Sequence, residues 1–580
     1  MMRTKKAATG VALGAVVAVA AAACGGGGGS TSTSTAQSTG AAAKGGTLYM
    51  LNLGPTDHWD PQRIYVGADI QFASRVFERT LTTFPPGATK EEQSKLTPDL
   101  ATDTGTMSDG GKTWKFTIRD DAKWQDGKPV TCADVKYGIS RTFATDVITG
   151  GPNYAISYFD IPGKPDGSSE YAGPYKKTGQ ALYDKAVSCA GNVLTVKMKK
   201  PFTDFNQAVT FPAFGPYRQD KDQGAKSNYE VFSNGPYMLQ GAWTSNKGGT
   251  FVRNPSWTEA SDPIRKAYPD SIVYQEGIET ETVVQRIMAD SGNDKFAVTQ
   301  GTAPPALQAQ IQSNPQVKAR STNPAAPYVD YLVPNFKSKV MANDKARMAF
   351  AMATDKDAYI TAQGGPTAAD PTNAMINKAL AGYKQFDTTG VPSAGDPAKA
   401  KALLQQSGLT LPVPITVAYR KRPTQDKALS AMAETWNKAG FKVTLNGIAQ
   451  NYYPTVQNPS QSAKFDVMWA GWGADWPSGS TVIPPLFDSR PNLSADSTGQ
   501  DYGSFKDDAI NKQMDAALEI PDAAAREKAW GDIDEAIQKK VGSVPLDNQK
   551  FMFVHGSGVK NYTDNAILGG YVELATISVK

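Results

Sequence analysis

KLTPDLATDTGTMSDGGKTWKFTIRDDAKWQDGKPVTCADVKYGISR, residues 95–141, changes its hydrophobic period once. Trp114, Phe116 and Ile118 point one way and Lys115, Thr117 and Arg119 the other, so this part reads as a half-buried antiparallel strand. Gln125-Asp126-Gly127-Lys128 follows as a turn. Thr131, with Asp134 three residues on, then fits a capping box that opens a helix through Arg141.

A second unit can be read the same way further along the chain. Residues 415–419 form a strand, and residues 424–438 a helix with Leu429, Met432 and Trp436 on one face, stopped at Gly440. Phe441, Val443 and Leu445 alternate as the next strand. This is a βαβ unit, which belongs in a parallel sheet with ligand sites at its edge. Residues 47–51 supply another strand, residues 70–81 and 506–540 carry helical spacing, and the second half of the chain is α/β on periodicity alone.

The bulk composition narrows the function. A chain of 580 residues exceeds one core and predicts several lobes. Its charged fraction of 20% and mean hydropathy of -0.40 describe a soluble globular protein. The formal charge of +4 includes Arg3, Lys5 and Lys6 at the start, and no basic block remains to hold a nucleic acid. The only histidines, His58 and His555, lack neighbours at metal-ligand spacing, so they read as surface or packing residues and no metal is expected. With so little histidine a Ser-His-Asp arrangement has no material, and no Gly-x-Ser-x-Gly elbow exists. Residues 105–113 and 471–476 lack the spacing of phosphate or dinucleotide loops. No cofactor and no enzymatic chemistry is expected.

Residues 1–23 read as a secretion leader, with a basic start and a short alanine-rich apolar run. Ala21-Ala22-Ala23-Cys24 is similar to a bacterial lipobox, which makes Cys24 the lipid-anchored N-terminus; Ala21 stands where leucine is usual, and cleavage after Ala23 is the alternative. Residues 24–46 are mostly glycine, serine, threonine and alanine and read as a flexible tether. In an exported protein, Cys132 and Cys189 favour a disulfide, the alternative being separate buried thiols.

Another stretch bears on the site. In KFDVMWAGWGADWP, residues 464–477, an alternating strand is expected to break at Gly471 and Gly473, leaving Asp475 among Trp472 and Trp476. A lone acid framed by indoles suits a ligand's ammonium group; alternatively Asp475 caps a turn.

Residues 95–141 closely resemble the signature of the extracellular solute-binding proteins of the oligopeptide/dipeptide family (family 5), which serve ABC importers. Pro98, Leu100 and Ala101, Thr113-Trp114-Lys115-Phe116, Trp124 with Asp126-Gly127, Pro129-Val130-Thr131, Asp134-Val135 and Ser140-Arg141 carry the match, with Cys132 where that family has alanine. Asp60-Pro61, Val76-Phe77-Glu78, Asn234-Gly235-Pro236-Tyr237, Arg253-Asn254-Pro255 with Trp257, Ala353-Thr354-Asp355-Lys356 and residues 399–409 extend the likeness over about 47–580.

The resemblance implies an α/β, periplasmic-binding-protein-like fold (type II, cluster C): two lobes around a hinge, with an extra mostly β subdomain in the first lobe. The implied partition is 47–79 and 226–325 in lobe I, 80–225 as its β-rich subdomain, 326–548 as lobe II, and 549–580 as the final strand of lobe I. It implies peptide capture between the lobes, with ABC permease subunits as partners. The protein would be a monomer held by its lipid on the outer face of the bacterial cytoplasmic membrane. In that family the ligand's ammonium pairs with an aspartate in a Gly-Trp-x-x-Asp segment, here Asp475, with Gly471 and Gly473 offering backbone groups and Trp472 lining the pocket. Tyr65 and Gly67 occupy ligand-facing loop positions. The alternative is a same-fold binder of an oligosaccharide, an opine-like amine or a metal chelate, since Trp472, Trp476, Tyr452 and Tyr453 suit stacking on sugar rings; an enzyme on a borrowed fold is a third reading.

Overall fold

The computed structural model describes residues 42–164, 168–493 and 497–580. The leader and Cys24 lie outside the described residues, as does the tether up to residue 41.

Two five-stranded mixed sheets organise the described chain. In the first, Thr47–Leu51 lies between Ser271–Gln275 and Ala297–Val298, parallel to both, and Gly248–Arg253 and Tyr237–Thr244 extend it antiparallel. In the second, Phe441–Ile448 and Val467–Gly473 flank Val413–Arg420, parallel to it. Tyr328–Pro334 then runs antiparallel to Val467–Gly473, followed by Val544–Pro545 at the edge. A four-stranded antiparallel sheet of Thr106–Ser108, Thr113–Thr117, Val193–Lys197 and Val187–Ala190 stands apart from both.

The local reading of residues 95–141 matches the structure closely. Trp114, Phe116 and Ile118 are buried. Thr131 caps the helix Cys132–Arg141 in a reciprocal box with Asp134, which satisfies backbone N–H groups that the first helical turn leaves without partners. The helix Pro423–Lys438 buries Leu429, Met432 and Trp436 against the second sheet. Each aliphatic side chain of this kind contributes about 1.5–3 kcal/mol when fully buried.

Two expectations need correction. The helix expected over residues 70–81 is Gly67–Val76. Beyond it the carbonyl of Phe77 accepts from the backbone of Asn234 and Gly235, and the Arg79 N–H donates to Asn234 Oδ1 at 2.6 Å. Arg79 itself is drawn into a buried network with Asp99, Asp262 and Arg265, so tertiary polar partners outcompete the helical ladder. The second correction concerns Gly471 and Gly473, which do not break their strand. They lie within Val467–Gly473, paired with Asp330 and Tyr328. A Cβ on Gly471 would sit 2.7 Å from Asp330 Oδ1, and one on Gly473 would overlap the Tyr328 ring. Glycine is there to admit those neighbours, not to end the strand.

Arg141, fully buried, bonds both oxygens of Asp60 at 2.6 Å, reaches Asp222 at 2.9 Å and stacks on Tyr217 at 3.7 Å. A bidentate, desolvated pair of this kind fixes geometry as well as charge. It ties the segment after Asp60, which carries Tyr65, to the helix that packs on the four-stranded sheet. Cys132 and Cys189 are bridged, with Cα atoms 6.0 Å apart, joining that helix to the sheet's edge strand.

Candidate ligand-binding site

Val467–Gly473 ends at the mouth of a cleft, and the residues just after it deliver Asp475. The Asp475 backbone N–H donates to Thr481 Oγ1 at 3.2 Å, and the Trp472 indole donates to the Thr481 carbonyl at 2.9 Å. The loop is therefore held by its own residues. Among the described residues the Asp475 carboxylate caps no turn. Its Oδ2 accepts from Tyr65 at 2.8 Å and from Tyr154 in a short hydrogen bond, and Oδ1 has no hydrogen-bond partner among the described residues.

Among the described residues no lysine or arginine contributes to the charge environment of this acid. Burial pushes its pKa from the ordinary 3.8 to about 6, against the stabilising hydroxyls of Tyr154 and Tyr65. Those tyrosines are in turn raised well above their usual range, chiefly by burial and then by the neighbouring carboxylate, so both remain protonated donors. Asp475 is thus a half-buried carboxylate with hydrogen-bond donors and, among the described residues, no counter-charge.

Two cavities meet here. One, of about 290 Å³, is lined by Asp475, Gly473, Trp472, Tyr65, Gly67 and Tyr328, among others. The second, of about 480 Å³, shares Tyr65, Trp472 and Gln500 with the first and continues past Tyr154 to Lys200. Their combined size suits a small-molecule site, for which roughly 300–1,000 Å³ is usual. Their walls mix aromatic and aliphatic faces with a few polar groups.

Of the residues singled out in the sequence, Asp475, Gly473, Trp472, Tyr65 and Gly67 therefore come together on one cavity wall. Gly471 lies further back along the strand, against Asp330. Trp476 is buried behind the wall, 5.0 Å from the Tyr154 ring and packed on Phe202, with its indole N–H on Ser480. Tyr452 is also buried, with its hydroxyl on the Trp469 carbonyl, and lines neither cavity. Sequence reasoning misses Tyr154. The signal for it is the Gly150-Gly151-Pro152-Asn153 segment that precedes it, an irregular stretch ending in an aromatic. Tyr328 and the residues near Ile567 carry no local signal; strand pairing and the return of the chain bring them in.

Among the described residues no group of three or more histidine, cysteine or acidic side chains is placed to hold a metal ion. His555 is a packing residue, stacked on Tyr562 and pushed down to about 4 by burial. No described helix is long and apolar enough to cross a membrane.

Comparison with known proteins gives a consistent result. The family described as bacterial extracellular solute-binding proteins, family 5 Middle, matches residues 95–494. A dipeptide-binding protein of Lactococcus lactis subsp. cremoris is 26% identical over 448 residues, covering 72% of this chain and 74% of its own. The periplasmic oligopeptide-binding protein OppA of Salmonella typhimurium is 24% identical, covering 79% of each chain. Among solved structures, clavulanic acid biosynthesis oligopeptide binding protein 2 superposes with a TM-score of 0.85 at 25% identity, covering 93% of this chain and 96% of its own.

Proposed function

Because the chain belongs to the bacterial extracellular solute-binding proteins of family 5, a family of transport components and not of enzymes, we propose that it captures extracellular peptides for an ABC permease. The peptide's ammonium group sits on Asp475. One observation carries this reading: a half-buried carboxylate, held by two tyrosine hydroxyls, faces a cavity in which no cation among the described residues neutralises it. A primary amine supplies that charge and donates to the oxygen that lacks a partner. The peptide names carried by the relatives support the same ligand class.

In this reading Gly473 offers its backbone to the ligand at the cavity wall, and Trp472, Tyr65 and Gly67 line its path. Trp476 and Gly471 support the wall from behind. The lobe partition is the one implied by the sequence: 47–79, 226–325 and 549–580 in lobe I, 80–225 as its β-rich subdomain, and 326–548 in lobe II. Closure of the lobes over the peptide presents a shape that the permease reads. Cys24 carries the lipid, the tether spans to residue 46, and the protein acts as a monomer on the outer face of the bacterial cytoplasmic membrane.

Native mass spectrometry of protein purified without denaturation tests this. Release of peptides with free amines is expected. Recovery of sugars, bile acids or metal chelates alone would replace the peptide reading with that of another solute.

A further inference from the structure

A third cavity, of about 160 Å³, shares no lining residue with the two described above. It lies where the helix Lys356–Gln363 begins, against residues 371–374 and 383–393. On its wall stands Lys356, a residue only 8% exposed. An ammonium group has three hydrogens to donate. One goes to the Thr372 carbonyl at 2.5 Å and one, in a short hydrogen bond, to Asn373 Oδ1. The Asn373 amide is held in turn, donating to the Phe386 carbonyl at 3.1 Å. The third hydrogen has no acceptor among the described residues, and no carboxylate there bonds the ammonium. Two acids are near enough to be felt, Asp387 and Asp357, and both are engaged elsewhere. Asp387 Oδ1 accepts from the backbone of Thr389 and Gly390, both at 2.9 Å, and Asp357 Oδ2 accepts from the Ser393 hydroxyl at 2.9 Å. Lys384, the other cation on the wall, is paired with Asp532 and Glu535, each at 2.6 Å. Burial therefore prevails, and the pKa of Lys356 falls from 10.5 to about 7.

Two more polar side chains of this wall lack partners. Neither the Tyr383 hydroxyl nor the exposed Gln385 amide makes a hydrogen bond among the described residues. A buried ammonium whose partners are neutral oxygens is short of negative charge. The space beside it suits a molecule up to the size of one ring, since a void of about 150 Å³ admits benzene. We propose that this cavity is a second ligand site, separate from the peptide cleft, for a small monocarboxylate that accepts from the third Lys356 hydrogen and from the Tyr383 hydroxyl. One ammonium balances one negative charge, which sets the class. The site stands independently of the peptide reading. Because the bound anion favours the charged form of Lys356, binding above about pH 7 takes up a proton, and affinity falls as the pH rises.

Acetate, benzoate and inorganic phosphate are titrated by calorimetry into the wild-type protein at about pH 6.5 and about pH 8.5, with chloride keeping the ionic strength constant. Both carboxylates are expected to bind, more tightly than phosphate, and about tenfold to thirtyfold more weakly at the higher pH. Lys356→Met should weaken them at least about tenfold, as expected for a lost hydrogen bond to a charged group, and Tyr383→Phe about threefold to tenfold. Lys356 also holds residues 372 and 373, so Tyr383→Phe, which gives up no hydrogen bond among the described residues, carries the test if Lys356→Met does not fold. Wild-type protein that binds neither carboxylate at about 10 mM overturns the site. Either folded variant binding as wild type does, or an affinity that is equal at the two pH values, overturns it as well. Phosphate binding more tightly than both carboxylates overturns the ligand class.

Discussion

Replacing Asp475 by asparagine keeps the size of the side chain and a carbonyl oxygen for Tyr65 and Tyr154, and removes only the charge. Burial raises the acid from 3.8 to about 6, a cost to the ionised form of about 3 kcal/mol at 1.36 kcal/mol per unit. A ligand ammonium that pairs with the carboxylate recovers that cost; the neutral amide has nothing to recover. About 3 kcal/mol is roughly two decades in affinity, at the lower end of the roughly 3–5 kcal/mol lost when one partner of a buried pair is removed. Titration calorimetry at pH 7 with a peptide recovered from the wild-type protein should show that drop. The melting temperature of the unliganded variant should hold or rise, because an uncompensated charge has been removed. An affinity within about threefold of wild type, in a folded variant, would refute the assignment of the amine to Asp475.

The same acid sets a pH dependence. The ligand needs the carboxylate, so affinity should be steady above about pH 6 and fall by up to about tenfold per unit below it, as protons compete; a profile as flat as that of Asp475→Asn would contradict it. In the unliganded protein the sign is opposite. A folded-state pKa raised from 3.8 to about 6 contributes stability that is complete below 3.8 and lost as the pH rises through 6, so the rise in melting temperature on adding peptide should be larger at pH 7 than at pH 5. Removing the Cys132–Cys189 bridge, which spans 57 residues, as the double alanine variant should cost about 4 kcal/mol on the chain-entropy model; denaturant titrations that coincide with wild type would exclude that contribution. Asp204 accepts from Arg526 at 2.6 Å and from Ser478 and Ser480 at 2.8 and 2.6 Å, joining the helix Ala523–Lys539 and the loop after Asp475 to the other wall of the cleft. Arg526→Met strands a buried carboxylate at a cost of about 3–5 kcal/mol, and should show weaker peptide binding with a larger radius of gyration by X-ray scattering; neither change would mean that the contact does not hold the cleft shut.

What the sequence discloses follows from how local the determinants are. The strand through Trp114 and Phe116, the Thr131 cap and the βαβ unit through Trp436 are set by alternation, capping and helical spacing within a few residues, and they fold as read. The helix that begins at Gly67 ends before its spacing predicts because Glu78 and Arg79 take partners far away in sequence, which no window of local spacing contains. The glycines of the strand Val467–Gly473 mislead for the same reason, since what they make room for, Asp330 and Tyr328, comes from a strand much earlier in the chain. At the site, Asp475 is legible as a lone acid among aromatic residues. Tyr154 is not, because its part depends on the cleft that folding makes and not on any motif of its own.

The central claim is that a peptide amine supplies the positive charge that Asp475 lacks. A crystal structure of the protein with a peptide retained from its source tests this most directly. The ligand's terminal nitrogen should lie about 2.7–2.9 Å from an Asp475 oxygen, with Tyr65 and Tyr154 still donating to the same carboxylate. A peptide lying with its amine elsewhere, or an arginine or lysine of the protein swung onto Asp475 in the closed form, would contradict it.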